Sequence, residues 1–339
     1  MAPLFADRYE IVGRLGGGGY GTVHEAFDHN LGRTVALKVF RRGASEIFAL
    51  HEGRILTALE SDHILRVFDA NAYQDIPYLV TEVAPLRSAE DHLGFRGVPA
   101  PTAIRWVRHL LVGLVVCHTN RLLHLDLKPA NLFLQSEDHA QLGDFGVARQ
   151  LDASGESPAH GSWQVRAPEL YERGKANAVS DLYSAGVTAW RLLTGAYPYD
   201  GPTVDEIRDL VIAGRRPRLR DLAPHVPQPL ALRVERAMAL DPADRYESAQ
   251  EMHDDLAHLD RLDIVWHEGT PHPGHLRCWQ GASKTGRGSL IVCVFPTEAG
   301  RFQIETRHSG AHAARLRAYC SVVAARDLPR ALRTVFNAL

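Results

Sequence analysis

The sequence predicts an α+β fold in three parts: a five-stranded sheet with one helix, a larger helical region, and a small α+β module at the C-terminus. Strand-forming residues dominate the first 84 residues, and apolar residues recur at helical spacing from residue 101 to residue 262. Short strand patterns then return after a stretch rich in Pro, Gly and His. We therefore expect one domain over 8–262, a linker over 263–275 and a module over 276–339.

The composition is that of a globular protein. Hydrophobic residues make up 45% and charged residues 23% of the 339 residues, which excludes disordered, collagen-like and low-complexity chains. The formal net charge of −2 indicates no polyanion partner for the chain as a whole. No apolar run approaches the ~20 residues of a membrane helix, the N-terminus has no apolar stretch of export length, and four cysteines are too few for a disulfide scaffold. We therefore expect a cytoplasmic protein without a membrane segment.

The predicted elements follow in chain order. Five N-terminal strands are expected at 9–15, 22–27, 34–40, 64–70 and 78–83, with a helix over 45–59 between the third and the fourth. Five further helices are expected at 103–120, 179–194, 204–213, 229–239 and 248–262. The module has strand patterns at 276–279, Ser289–Pro296, 301–307 and 315–324, and its last helix starts at Asp327 as N-cap with Pro329 in the first turn.

A glycine-rich turn joins the first two strands. Gly16, Gly18 and Gly21 form with Val23 the pattern G-x-G-x-x-G-x-V. Glycines let backbone N–H groups approach a phosphate closely, but a tight hairpin uses glycines too, so this pattern alone is a weak signal. Because a strand rather than a helix follows the turn, it does not fit a dinucleotide-binding fold.

Lysine is rare in this chain, with four lysines among 38 basic residues. Lys38 lies on the third strand in Val35-Ala36-Leu37-Lys38, and Glu52 on the following helix could pair with it. An isolated strand lysine is usually a solvated edge residue. A rare lysine among buried-strand residues, with a carboxylate within reach, favours a functional site instead.

Three further motifs follow in order: His124-Leu125-Asp126-Leu127-Lys128-Pro129-Ala130-Asn131, Asp144-Phe145-Gly146 and Ala167-Pro168-Glu169. Together with the glycine turn and Lys38, they make residues 8–262 resemble the eukaryotic-like (Hanks-type) serine/threonine protein kinases of bacteria. Each motif alone has a structural explanation, but all five at this order and spacing do not. The resemblance implies a two-lobed protein kinase fold, with a five-stranded N-lobe over 8–84 and a helical C-lobe over 85–262, that uses ATP and Mg²⁺ on protein substrates.

The resemblance implies a nucleotide site between the lobes. Gly16, Gly18 and Gly21 would cover the ATP phosphates, and Lys38, held by Glu52, would contact the α- and β-phosphates. The implied adenine contacts are Val23 and Ala36 above the ring, Phe133 below it, Thr81 at the gatekeeper position, and Glu82 and Ala84 at the hinge.

The resemblance also implies how the phosphoryl group would be transferred. Asp126 would accept the proton of the substrate hydroxyl, and Lys128 would neutralise the γ-phosphate. Asn131 and Asp144 would hold Mg²⁺. Two scaffold contacts are implied as well: a buried ion pair between Glu169 and Arg245, and Asp181 as acceptor for backbone N–H groups of the catalytic loop.

The sequence departs from the kinase pattern at Leu125, where an arginine usually precedes the catalytic aspartate. That arginine normally receives a phosphate on the activation loop. We therefore expect a kinase that does not depend on loop phosphorylation, although the loop offers Ser154, Ser157 and Ser162.

Two rival functions remain open. The first is a catalytically silent kinase fold that serves as a scaffold, and the intact set Lys38, Glu52, Asp126, Asn131 and Asp144 counts against it. The second is a small-molecule phosphotransferase of related fold. The Ala-Pro-Glu motif, Asp181 and the peptide-docking segment over 161–166 count against that function, since a small substrate would not need them.

The sequence of the C-terminal module does not resemble any family that we can name. Residues 264–339 carry ten basic and four acidic residues, a balance of +6. A docking module, for a protein partner or for the kinase's own surface, is the favoured interpretation. Nucleic-acid binding through Arg315 and Arg317 is the second, with Trp279, Phe302 and Tyr319 as stacking residues that core packing explains more simply.

A metal site is the third interpretation of the module. His267, His272, His275 and Cys278 are clustered in sequence, with Cys293 further on. The His-x₂-His-x₂-Cys spacing lacks a paired second half, so zinc is the least favoured of the three.

Overall fold

The N-terminal part is a five-stranded antiparallel sheet with strand order β1-β2-β3-β5-β4. The structure, a computed structural model, describes residues 4–18, 21–41, 59–259, 264–283, 288–297, 300–310 and 314–339. The strands are β1 Tyr9–Gly18, β2 Gly21–Asp28, β3 Arg33–Phe40, β4 Val67–Tyr73 and β5 Ile76–Thr81. All five predicted strands are present, whereas the helix predicted over 45–59, with Glu52, falls on residues outside the described ranges except for Leu59.

The fourth strand starts three residues later than predicted. Ile64 and Leu65 are apolar and extended, but they bridge to Leu142 of the larger lobe rather than to β5. The Leu65 N–H donates to the Leu142 carbonyl at 2.9 Å. Local sequence cannot distinguish these two partners, because both require the same extended, apolar segment.

The larger lobe is mainly helical. Its helices are α1 Ala100–Thr119, α2 Pro168–Arg173, α3 Ala178–Thr194, α4 Val204–Ile212, α5 Leu219–Leu222, α6 Gln228–Ala237 and α7 Ala249–Ala257. Its strand pairs are β6 Leu122–Leu123 with β9 Arg149–Gln150, β7 Leu132–Ser136 with β8 His139–Leu142, and β10 Ser157–Pro158 with β11 Lys175–Ala176. The five predicted helices of this region are present, although the last ends at Ala257 rather than at residue 262. Helices α2 and α5 are short and were not indicated by the sequence pattern.

Helices α1 and α3 form the centre of this lobe. By length and composition α1 could cross a membrane, but half of its residues are buried and it packs against α3, α7 and β8. It is therefore the core helix of the lobe. Helix α3 starts at an Asn177 N-cap, whose side chain accepts hydrogen bonds from the N–H groups of Val179 and Ser180, and it ends at Gly195 with a φ of +72°.

The C-terminal part is a second five-stranded antiparallel sheet in sequential order with one helix against it. Its elements are β12 Ile264–Gly269, β13 Arg277–Ser283, β14 Ser289–Pro296, β15 Arg301–His308, β16 Ser321–Ala324 and α8 Leu328–Ala338. Two predictions are wrong here. The predicted linker contains β12, because Trp266 and Glu268 alternate inward and are buried. The strand pattern over 315–324 yields a strand only at Ser321–Ala324, preceded by a 3₁₀ turn.

This second sheet packs directly on the larger lobe. Trp279 is fully buried, and its indole N–H donates to Nδ1 of the buried His225 at 3.1 Å. The Arg277 guanidinium pairs with Glu268 and also donates to the carbonyl of Leu222 at 2.7 Å. The hydrogen bond of Trp279 to His225 and that of Arg277 to the Leu222 carbonyl therefore join the two parts along α5 and the segment after it.

Candidate active site

A cleft of about 260 Å³ separates the N-terminal sheet from the larger lobe. Residues predicted to bind nucleotide or metal line most of it: Gly16, Val23, Ala36, Lys38, Thr81, Glu82, Ala84, Asn131, Phe133 and Asp144. The fold thus brings together residues that are up to 128 positions apart in the chain. Asp126 lies beside the cleft, where its carboxylate accepts hydrogen bonds from Lys128 and from Asn131.

The glycines of the β1–β2 hairpin serve two purposes. A Cβ added at Gly16 would meet nothing within 4 Å, so this residue leaves open space where it lines the cleft. A Cβ added at Gly21 would lie 2.2 Å from the carbonyl oxygen of Val39. Gly21 is therefore required for the pairing of β2 with β3, in addition to any role towards phosphate. Gly18 ends β1 and is paired with Gly21.

The segment after β5 offers backbone groups to the cleft. The Glu82 carboxylate accepts hydrogen bonds from the Arg66 N–H at 2.7 Å and from the Gln141 side chain at 2.9 Å. The Glu82 N–H in turn donates to the Arg66 carbonyl. These bonds hold the segment in place, and the Ala84 N–H keeps no hydrogen-bond partner among the described residues. A donor of this kind suits the polar edge of a bound base.

Lys38 and Asp144 form an ion pair in the cleft, with 2.9 Å between Nζ and Oδ1. Desolvation by the walls of the cleft raises the pKa of the Asp144 carboxyl, but the Lys38 ammonium outweighs this and holds that pKa below its usual value. Asp144 has a φ of +58°, a left-handed conformation that is uncommon outside glycine. The next side chain, Phe145, is fully buried against the ring of His124. This turn therefore places the Asp144 carboxylate in the cleft and the Phe145 ring in the hydrophobic core.

Asp126 is held by three donors. Lys128 Nζ lies 2.7 Å and Asn131 Nδ2 lies 3.0 Å from Oδ2, while the Ser162 N–H donates to Oδ1 at 2.9 Å. Desolvation raises the pKa of the Asp126 carboxyl, but the hydrogen bonds from Lys128 and Ser162 lower this pKa by more. The pKa of Asp126 therefore lies below its usual value. Asp126 is therefore an oriented anion at neutral pH, and Asn131 keeps its amide oxygen as an acceptor.

The loop that carries Asp126 is fixed from below by α3. The fully buried Asp181 accepts the N–H groups of His124 at 2.9 Å and of Leu125 at 2.8 Å. The Thr188 hydroxyl donates to the carbonyl of Leu127 at 2.9 Å. The predicted role of Asp181 is confirmed, since two charge-assisted bonds from one carboxylate define the direction of this loop.

The comparisons with known proteins agree with this architecture. The protein kinase domain family matches residues 9–257, which is more than half of the chain. The chain belongs to the protein kinase family. Its similar proteins are bacterial serine/threonine kinases by name, so the resemblance stated from the motifs is confirmed.

Three of these relatives show how far the likeness extends. A probable serine/threonine-protein kinase, pknA2 of Bifidobacterium longum, is 33% identical over 59% of this chain and 28% of its own length. PrkC of Bacillus subtilis is 29% identical over 74% of this chain and 40% of its own length. PknL of Mycobacterium tuberculosis is 32% identical over 75% and 66%, respectively. The chain thus spans less than half of the length of the first two relatives.

In this kinase domain the predicted ion pair of the larger lobe is present. Arg245 donates from two nitrogens to the two carboxylate oxygens of Glu169 at 2.9 and 2.8 Å, and the Ser180 hydroxyl adds a third bond at 2.8 Å. The Arg245 side chain is fully buried. The pair joins the first turn of α2 to the segment before α7.

The end of the activation segment, at Gly161 and Ser162, lies directly against the catalytic loop, which carries Asp126. Leu125, which stands where kinases usually have an arginine, is buried and has a φ of +65°. Gly161 approaches so closely that an added Cβ would lie 1.8 Å from the Leu125 carbonyl oxygen. The next residue, Ser162, bonds to Asp126 through its N–H and accepts a hydrogen bond from Lys128 at 2.8 Å. Backbone contacts at Gly161 and Ser162 therefore hold this segment against the catalytic loop.

Sequence reasoning missed part of the cleft. Arg87, Ser88 and Asp91 also line it, although they belong to no motif that was singled out. Ser88 and Asp91 form a capping box at the start of a short 3₁₀ helix, in which the Ser88 N–H and hydroxyl both donate to the Asp91 carboxylate. The Ser-x-x-Asp spacing is a detectable signal for such a box, so this short helix could have been found from the sequence.

Proposed function

We propose that this protein is a serine/threonine protein kinase that transfers the γ-phosphate of ATP to Ser or Thr hydroxyls of other proteins. One observation carries the proposal. An oriented Asp126, bonded to Lys128 and Asn131, shares a cleft region with the Lys38–Asp144 pair. Phosphoryl transfer depends mainly on positioning and on neutralising charge, and this set supplies one proton acceptor, two cations and two oxygen ligands.

The cleft fits a nucleotide at both ends. Its apolar walls, with Val23, Ala36 and Phe133, suit a planar base, and the Ala84 N–H suits its polar edge. Gly16 leaves room where the phosphates would pass, and Lys38 supplies the cation for them. We assign Glu52 as the partner of Lys38 by the resemblance alone, since it lies outside the described residues.

Asn131 and Asp144 fit a magnesium ion. They offer amide and carboxylate oxygens, the donors that Mg²⁺ prefers, and the Asp144 side chain is 44% exposed to the cleft. When bound, the ion would neutralise charge on the phosphates. Lys38 then keeps Asp144 in its anionic form, and Asp126 keeps the Asn131 amide turned so that its oxygen is free to ligate.

We assign Asp126 as the group that orients the substrate hydroxyl and accepts its proton. Its Oδ1 and Oδ2 are held by donors on three sides, so that an incoming hydroxyl would find the carboxylate in one orientation. Lys128 lies between Asp126 and Ser162, a position from which its charge reaches the transferred phosphoryl group. The adjacent segment 161–166 would then receive the peptide.

The test is phosphate transfer from Mg-ATP by the full chain, followed by intact-mass spectrometry of the protein and of a general protein substrate such as casein. We expect Asp126→Asn to lower the rate by about 10²–10⁴-fold while nucleotide binding is kept. Asp205→Asn, which changes an exposed carboxylate on α4, is the matched control and should leave the rate unchanged.

The rival functions predict different results. A scaffold would bind Mg-ATP without transferring phosphate to itself or to casein. A small-molecule phosphotransferase would phosphorylate neither protein, but would consume ATP when a pool of small hydroxyl compounds is added. Transfer to protein that Asp126→Asn abolishes contradicts both.

We also propose that residues 264–339 act as a docking or regulatory module on this kinase domain, in a cytoplasmic protein. The contacts of Trp279 and Arg277 with the larger lobe support docking on the kinase's own surface. Burial of Trp279 and the packing of Phe302 and Tyr319 against the module's core weaken the nucleic-acid alternative, because stacking on bases needs exposed rings.

A further inference from the structure

Four metal-binding side chains meet in the C-terminal sheet, away from the kinase cleft. They are His272, His275, Cys278 and Cys293, and their ligand atoms all lie within 4.8 Å of one another. The Cys278 Sγ lies 3.3 Å from His272 Nδ1 and 3.4 Å from His275 Nδ1. The Cys293 Sγ lies 3.5 Å from His272 Nδ1. Two thiols and two imidazoles thus surround one point.

We propose that these four residues bind one zinc ion in a closed tetrahedral site. Zinc–sulfur and zinc–nitrogen bonds at tetrahedral angles place sulfur and nitrogen about 3.6 Å apart, close to the distances found here. Two thiolates and two imidazoles are a donor set that zinc prefers, whereas magnesium and calcium prefer oxygen. Four protein ligands leave no open position, so the site is structural rather than catalytic.

The fourth ligand, Cys293, is brought to the site by the pairing of two neighbouring strands, which the spacing of residues in the sequence does not show. Cys278 on β13 and Cys293 on β14 are direct partners across the antiparallel pair. Their neighbours Trp279 and Val292 point to the opposite face of the sheet, into the core with α8. The two cysteines are therefore buried on the face that the core does not use, and the turn that carries His272 and His275 covers them.

His267, included in the cluster from sequence, does not belong to it. It is exposed on β12 and paired with Gln280. A second histidine group in the larger lobe, His63, His109 and His139, is also compact, but its ring nitrogens already meet backbone groups of Asp62 and Ala140. That group supplies a histidine control for the experiment.

The expected effect of the ion is to fasten the β12–β13 turn to the β13–β14 pair. Arg277, which precedes Cys278, bonds to Leu222 of the larger lobe, and Trp279, which follows it, bonds to His225. Because a metal site of this type contributes its binding free energy to folding, removal of the ion should loosen the contact between module and kinase domain.

The test is the metal content of the full-length protein, purified without chelator and measured by inductively coupled plasma mass spectrometry. We expect about one zinc per chain in the wild type, and below about one tenth for Cys278→Ser with Cys293→Ser. His139→Gln and Cys320→Ser are the matched controls, and both should keep about one zinc per chain. Replacement of zinc by cobalt should give the absorption of a tetrahedral site together with a thiolate-to-cobalt charge-transfer band.

The cobalt spectrum of the wild type tests the site without any substitution. The variant His272→Ala should weaken that spectrum, so the proposal can be tested even if the cysteine variants do not fold. Equal zinc in the wild type and in the double cysteine variant would overturn the proposal, because the ion would then lie elsewhere. Less than one tenth of a zinc per chain, with no cobalt spectrum, would also overturn it. So would a disulfide, seen as two cysteines that react with maleimide in denaturant only after reduction.

Discussion

At the scale of single residues, the buried carboxylates Asp126, Glu169 and Asp181 are each matched by an opposite charge or by several hydrogen bonds. Glu169 and Arg245 are the clearest case, because the guanidinium and the carboxylate meet through two parallel bonds in a dry environment. Such a pair adds little compared with apolar residues of the same shape, but breaking it leaves an uncompensated buried charge. The contribution of this ion pair to stability is therefore measured by removing one partner.

We predict that Glu169→Gln lowers the free energy of unfolding by about 3–5 kcal/mol, because Arg245 remains charged and buried. Urea unfolding at pH 7 measures this. The control Glu251→Gln removes a partly exposed partner of Arg236 and should cost less than about 1 kcal/mol. Equal losses in the two variants would contradict the prediction.

At the scale of elements, the activation segment is held by strand pairing with the larger lobe and by contacts of its end with the catalytic loop. Its end is locked by the approach of Gly161 to the Leu125 carbonyl and by the bonds of Ser162 to Asp126 and Lys128. Its middle pairs with the larger lobe through β9 with β6 and β10 with β11. This agrees with the substitution of leucine for the arginine that would otherwise bind a phosphate.

We predict that Ser154→Ala combined with Ser157→Ala changes the rate of phosphate transfer by less than about twofold, because we expect the contacts of this loop with the larger lobe to order it without a phosphate. The measurement is the steady-state rate on casein with Mg-ATP. Ser162 is left unchanged because its hydroxyl bonds to Lys128. A loss of activity that Ser154→Asp restores would show that the loop does need a negative charge.

A second prediction concerns the close approach at Gly161. Gly161→Ala should lower the rate by more than about tenfold, because the new methyl group must push the segment away from the catalytic loop. Gly155→Ala is the matched control: this residue also has a positive φ, +78°, but a Cβ there meets nothing within 4 Å. If both variants lose activity equally, backbone strain rather than the contact with Leu125 is responsible.

At the scale of the whole molecule, the module and the larger lobe share a buried histidine. Burial, helped by the nearby Arg277, lowers the pKa of His225 to about 3, and its neutral ring accepts the hydrogen bond from Trp279. The unfolded chain protonates near pH 6.5, so between pH 6.5 and pH 3 it binds one proton more than the folded chain does at this site. Stability from this group is complete above pH 6.5 and falls as the pH is lowered.

We predict that this residue makes the protein less stable by about 2 kcal/mol at pH 5 than at pH 7. The measurement is urea unfolding at both pH values for the wild type and for His225→Asn, whose amide oxygen can take the place of Nδ1 as acceptor. The variant should lose about 2 kcal/mol less than the wild type over the same interval. Identical pH dependence in the two proteins would contradict the prediction. Other groups that titrate in this interval are common to both proteins and cancel in the comparison.

Much of the candidate site could be predicted from the sequence, because kinase motifs are local. Glycines at a turn, a lysine within a strand and an Asp-x-Lys-x-x-Asn loop are each ambiguous alone, but their order and spacing identify them together. The structure brings these residues to one cleft and its edge. The strands of the N-terminal sheet and the long helices were predictable for the same reason, since each repeats its pattern over at least one full period.

The sequence by itself determined the identity of the chemical groups and the order of the elements, because both are written in short-range pattern. Only the tertiary structure decided which distant groups meet. Ile64 and Leu65 pair with Leu142, Ser162 bonds to Asp126, and Cys293 joins Cys278 by register on neighbouring strands. Contacts of this kind depend on strand register and on the packing of whole elements, and these are set by the sum of many interactions along the chain rather than by any one segment.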